Sequence, residues 1–182
     1  DVFRNMEPSF TIPYSELVEQ VIGNEYVEEA TQEGTELMTA IRSYVIRATF
    51  LSRLHSHDLI MTDNGFGVVS NENIAPASQA RVEAMKAELT YQRDYNKHQV
   101  IFLMRKFDGW SETEQAEMNI NSLVWSPSIL SGWCGVSGQL TYDDLAKYKK
   151  SIDVTEAFLR KQLGDALIDE IIAEERKGNF AP

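Results

Sequence analysis

The sequence predicts a mainly α protein, a helical bundle with one β-hairpin insertion and an irregular segment rich in aromatic residues and glycine. Three observations point there. Apolar residues recur at helical spacing over most of the chain. Asn64-Gly65 sits between two apolar runs, "DLIMT" and "FGVVS", and a two-residue hairpin turn needs residues that tolerate positive φ. Between 108 and 139, Gly109, Gly132, Gly135 and Gly138 join Pro127 and three tryptophans, which argues against one long helix.

The elements follow in order. Residues 1–13 read as an irregular arm, with Pro8 and Pro13 as breakers. Ser15 is placed to cap a first helix through its hydroxyl, and Leu17, Val18, Val21 and Ile22 give it an apolar face. Gly23 interrupts, and Tyr26, Val27 and Ala30 continue to Gly34 as one kinked helix or two short ones. Thr35 opens the strongest pattern: Leu37, Ile41, Tyr44, Val45, Ala48 and Leu51 share one face. Met38, Phe50 and Leu54 widen it, so this helix is expected centrally, contacted on more than one side. The hairpin is expected near 58–70, followed by a polar link. Pro76 fits the first turn of the next helix; Val82, Met85, Ala87 and Leu89 carry that helix towards "VIFLMRKF". The helical core thus spans 14–107.

Residues 108–140 read as an irregular aromatic and glycine-rich linker. A short helix is expected within 112–119, and "SLVWSPSILSGWCGVSG" reads as an extended piece plus a turn-rich link. The last segment, 141–182, reads as helical to about 177 with a break near 152–154. Residues 16–30 and 157–171 align without gaps, so that Gly23 meets Gly164, Ile22 meets Leu163 and Val27 meets Ile168. Helix-period residues coincide easily by chance, but the shared mid-helix glycine favours two related helix–glycine–helix units.

The bulk numbers exclude some functions. The chain has 182 residues, 43% hydrophobic and 25% charged, ordinary globular composition for one domain or two small ones. Net charge is −11 and the isoelectric point about 4.7, which is no footprint for nucleic acid. The densest basic cluster, Lys147, Lys149 and Lys150, is flanked by Asp143, Asp144 and Asp153 and reads as a solvated helix face. The single cysteine, Cys134, excludes an internal disulfide. No apolar run approaches membrane-crossing length. Residues 1–15 do not read as a signal peptide, and a start at Asp1 points to a native start further upstream.

No catalytic chemistry is expected. The "GFG" of residues 65–67 lacks the third glycine of a dinucleotide fingerprint and the Gly-Lys of a phosphate loop. His55, His57, His98 and Cys134 match no zinc spacing; the histidines read as surface or helix-end residues. There is no Gly-x-Ser-x-Gly nucleophile context. The carboxylate pairs Glu28/Glu29, Asp143/Asp144 and Glu174/Glu175 fall on polar helix faces. No metal or cofactor is expected. Trp110, Trp125 and Trp133 read as core anchors or as interface residues, since aromatic side chains are enriched at interface centres.

The order of these features carries a resemblance. A glycine-centred helix, a long apolar helix, "TDNGFGVVSNENIAPAS", a helix beginning "QARVEAM" and a second glycine-centred helix, "QLGDALIDEI", follow one another. Over residues 14–178 this resembles a family of uncharacterised proteins in phages and prophages of gut bacteria, whose members look like head–tail connector, or adaptor, proteins of the virion neck. "GFGVVSNENIAPAS" is its most specific piece, and residues 132–138 depart from it. The resemblance implies a virion neck protein assembled in the host cytoplasm, joining the portal to tail or neck proteins as a homo-oligomeric ring of twelvefold symmetry. It implies no catalytic residue; the charge balance and hydropathy add the expectations of no specific nucleic-acid binding and no membrane association. Asn64, Gly65, Phe66, Trp125 and Trp133 are then the candidate interaction residues. The alternatives are a bacterial helical protein-interaction domain and a small enzyme with an unrecognised site.

Overall fold

The computed structural model describes residues 9–57, 60–62, 65–67 and 79–179. These are mainly helical. Helix α1, Thr11–Leu17, continues into a π-helical turn, Val18–Ile22. A 3-10 turn, Asn24–Tyr26, and the short α2, Val27–Ala30, follow. Next come α3, Glu36–His57, and α4, Gln79–Met104. The last four helices are α5, Glu114–Asn119, α6, Pro127–Cys134, α7, Tyr142–Leu163, and α8, Asp165–Arg176.

The antiparallel pairing of α3 with α4 is the most extensive helix contact among the described residues. Leu37, Ala40, Ile41 and Val45 of α3 meet Val100, Ile101 and Met104 of α4 in the core. Spacings of three and four residues put each set on one helix face. Leu17, Val18, Val21 and Ile22 close this core from the α1 side. The Thr35 hydroxyl accepts the Met38 amide at 3.1 Å, satisfying one of the orphan donors that start α3.

The π turn has a structural consequence. Gly23 N–H donates to the Val18 carbonyl, five residues back, at 2.8 Å. The carbonyls of Glu19, Gln20 and Val21, at the open end of this turn, need other partners. They receive Gln115 Nε2 at 3.1 Å, Asn119 Nδ2 at 2.7 Å and the indole N–H of fully buried Trp110 at 2.9 Å. The segment after α4 is thereby tied to the first helix as its cap.

Several expectations are corrected. The first helix begins at Thr11 and carries no side-chain cap, so Ser15 lies inside it and the arm ends earlier than residue 13. Pro13 is tolerated because the amides of a helix's first turn have no partner within the helix. Residues 127–134, expected as irregular, form α6: Ser126 caps it by accepting the Ile129 amide at 3.2 Å, and Pro127 occupies the first turn. The C-terminal region is unbroken at 152–154 and breaks instead at Gly164. The short helix expected within 112–119 is α5, capped by Thr113.

No hairpin spanning 58–70 is seen. What is described there is two three-residue strands, β1, Ile60–Thr62, and β2, Gly65–Gly67, paired antiparallel with Met61 opposite Phe66. The turn expected at Asn64-Gly65 is corrected at Gly65, which is the first residue of β2 and pairs with Thr62; Asp63 and Asn64 lie outside the described residues, as do Pro76 and the link before α4.

Candidate functional site

Helices α4, α6 and α8 surround a cavity of about 640 Å³. Its apolar wall includes Phe102, Ile129, Trp133 and Ile172, and its polar side is built by His98, Arg105 and Glu175. His98 lies in α4 and Arg105, seven residues on, directly follows its last residue, so the two fall about two helical turns apart on one side. Glu175 comes from the last turn of α8, and Trp125 from the stretch leading into α6.

These four side chains interlock. Arg105 Nη1 donates to Glu175 Oε1 at 2.5 Å and to the Glu175 carbonyl at 3.0 Å. The Trp125 indole N–H donates to the same Oε1 at 3.1 Å. The Arg105 guanidinium lies over the rings of Phe102 and Trp125, 4.5 and 5.8 Å from their centroids. The Trp125 indole stacks on the His98 imidazole at 5.0 Å. Arg105 is 5% exposed and His98 8%, so charge here must be matched locally. Burial, reinforced by the Arg105 charge, lowers the His98 pKa to about 4 and leaves the imidazole neutral near pH 7. Burial also lowers the Arg105 pKa, against the pull of Glu175.

Two buried polar atoms of these side chains, His98 Nδ1 and Arg105 Nε, have no hydrogen-bond partner among the described residues. Buried polar groups are ordinarily paired, and an exception calls for a cause.

Residues 11–120 match the model of a family of unknown function, DUF6712. The chain belongs to that family. The DUF6712 match covers α1 through α5 and ends at Ile120, so His98 and Arg105 lie within it, and Trp125, Trp133 and Glu175 beyond it. No curated protein and no solved structure matches the chain.

The residues singled out from the sequence scatter. Trp125 is 4% exposed and packs in the core, as the core-anchor reading has it, and it also forms part of the cavity wall. Trp133 is 67% exposed at the cavity rim. Gly65 pairs with Thr62 and Phe66 with Met61; Asn64 lies outside the described residues, as do the side chains of His55 and His57. His98, expected at a surface or helix end, is buried within α4, and Glu175, expected on a polar face, is mostly buried against Arg105. Among the described residues no group of three or more His, Cys, Asp or Glu side chains could hold a metal ion. No helix among them is long and apolar enough to cross a membrane. Cys134 is a free, exposed thiol.

A second polar contact joins α7 to α4. Buried Asp94 accepts the Tyr142 amide at 2.8 Å and Arg93 Nε at 2.8 Å. Burial, then the Asp94 charge, raises the Tyr142 phenol pKa, and Lys97 lies 5.0 Å above the Tyr142 ring centroid. Together with the capping box in which Thr141 and Asp144 exchange hydrogen bonds, this fixes where α7 leaves the body.

Proposed function

We propose that this DUF6712 chain is a structural subunit of a phage virion neck, a head–tail connector that joins the portal to tail proteins and acts as a ring. The observation that carries this reading is the apolar surface left on the C-terminal arm. Trp133 of α6, Val154 and Phe158 of α7, Leu163 at its end and Leu167 of α8 are all exposed. Val154 and Phe158 are four residues apart and share a helix face. Exposed apolar clusters of this kind mark contact surfaces.

A closed ring needs two different, complementary patches on each subunit. The second patch lies on α1 and α3, where Phe10, Tyr14, Met38 and Val45 line a shallow apolar groove beside exposed Ile46. In this reading the β1–β2 pair and the residues around it, with Asn64, Gly65 and Phe66, reach a neighbouring subunit or the portal. The acidic balance, −11 overall, lets DNA pass a ring lining without adhering. The order of sequence features also supports the neck assignment through its resemblance to adaptor proteins.

The test mixes the purified protein with its assembled portal and images the product by electron microscopy. Rings of twelvefold symmetry are expected, and Phe158→Asp should prevent them while leaving the helical circular dichroism unchanged. Gly65→Val should weaken assembly more than it weakens the helical body, because Gly65 belongs to the β1–β2 pair and to none of the helices. A protein that stays monomeric with its portal present sinks the reading.

A further inference from the structure

Helix α7 carries a surface unlike the rest of this acidic chain. Lys150, Val154, Phe158 and Lys161 recur every three or four residues and share one helix face. Ile152, the residue that α7 buries, falls on the opposite side. Val154 and Phe158 are exposed, and Lys150 and Lys161 flank this apolar pair. Lys147 and Lys149 are matched by acids on their own helix, Asp144 and Asp153. Lys150 and Lys161 make no ion pair among the described residues. The stripe is therefore apolar at its centre and positive at its ends.

The inverse pattern occurs on the body. Where α2, the start of α3 and the end of α4 meet, Leu37, Leu103 and Phe107 line a groove of about 430 Å³ together with Glu29 and Glu36. Both glutamates are exposed and make no ion pair among the described residues, and Lys106 is the one cation lining the groove among those residues. The field there is negative. Burial first, then the charges of Glu25, Glu29, Glu112 and Asp108, raise the pKa of the Tyr26 phenol, whose ring packs edge-on against Phe107.

We infer that this groove between α2, α3 and α4 receives the outer face of α7 from a second copy of the chain, with Val154 and Phe158 on Leu103 and Phe107 and the two lysines beside Glu29 and Glu36. Complementary potentials select partners and fix register, and both halves of this match lie on the same chain. Lys150 and Lys161 alone fall short of the roughly 4–8 clustered cations that hold a helix to an anionic membrane. Because the two surfaces differ, the contact is heterologous and runs head to tail, as a ring requires. The inference rests on the ring reading for its occupant and adds the site that receives α7. Leu37 lines this groove and its neighbour Met38 the α1–α3 groove, so the arm of one copy meets the start of α3 in the next.

The experiment needs no portal. Equal amounts of 14N- and 15N-labelled full-length protein are treated at high concentration with a carbodiimide, which joins a lysine amine to a carboxylate in direct contact, and the products are mapped by mass spectrometry. Mixed-isotope links from Lys150 or Lys161 to Glu29 or Glu36 are expected. Charge reversal gives a second readout, by sedimentation velocity. Lys150→Glu with Lys161→Glu, and separately Glu29→Lys with Glu36→Lys, should each abolish self-association and keep the circular dichroism, since all four side chains are exposed. An equal mixture of the two variants should associate again, because each stripe then faces a groove of opposite charge. Absence of the mixed links, or no recovery in the mixture, would overturn the inference. Rings on the portal that neither reversal disturbs would also overturn it and leave the neck reading standing. Links and recovery without portal rings would uphold the contact and sink the neck reading.

Discussion

His98 is held neutral in the folded chain, and that has a direction in pH. Its folded pKa, about 4, lies below the ordinary value near 6.5. Between these values the unfolded chain binds the extra proton, so stability rises with pH across the window. It is complete above about 6.5 and is lost progressively as pH falls towards 4, by on the order of 3 kcal/mol. Urea denaturation at several pH values should therefore show a slope from pH 4 to 6.5 that His98→Gln flattens; an unchanged slope in the variant would mean the imidazole is not desolvated as described. Glu175 supplies a second residue-scale expectation. Arg105 has 3% of its side chain exposed, so removing its partner strands a buried charge. Glu175→Ala should cost about 3–5 kcal/mol, read as a lowered denaturation midpoint. None of this polar set was legible in local sequence spacing. His98, Arg105 and Glu175 meet through a contact 70 residues apart in sequence, whereas spacing rules report only neighbours on one element.

At the level of the elements, the two glycine breaks behave alike. Gly23 has φ 86° and ψ 140°, and Gly164 has φ 93° and ψ 144°. Each ends one helical stretch and starts the next. This backbone region is close to glycine-only, so Gly164→Ala should destabilise by about 1–3 kcal/mol. Gly23→Ala should cost a similar amount, with the Glu25 carboxylate 3.2 Å from the new Cβ also having to move. Thermal melts of the two variants check this, and near-neutral effects would count against the shared geometry being required. Helix α3 was legible because Leu37, Ile41 and Val45 recur on one face behind a capping threonine. Helix α6 was not, although Ser126-Pro127 is a start signal: Gly132 and Gly135 read as breakers, yet Gly132 sits inside the helix. The break expected at 152–154 does not form: β-branched Ile152 and Val154 carry a propensity penalty of only tenths of a kcal/mol each. The capping box at Thr141 and the glycine at 164 outweigh it.

For the whole molecule, charge sets the strongest expectation. Acidic side chains number 28 and basic ones 17. The basic cluster on α7 is locally neutralised: Lys147 pairs with Asp144 at 2.7 Å, and Lys149 pairs with Asp153. Arg42 of α3 pairs with Glu33 at 2.5 Å. Affinity for DNA by counterion release needs several free clustered cations. The isolated protein should therefore show no duplex binding at physiological salt in an anisotropy titration; salt-sensitive binding at micromolar concentration or tighter would point to a basic face among residues outside those described.

Helix α7 buries only Ile152 along its 22 residues, and its contacts are confined mainly to α6 and α8. A helix so sparsely packed opens locally at a small fraction of the free energy needed to unfold the α3–α4 body. In native-state hydrogen exchange its central amides should lose protection well before those of α3 and α4, as a cooperative unit of their own. If the arm docks on a neighbouring copy, the same amides become the slowest reporters of subunit release, and their protection factors would read the strength of the contact directly.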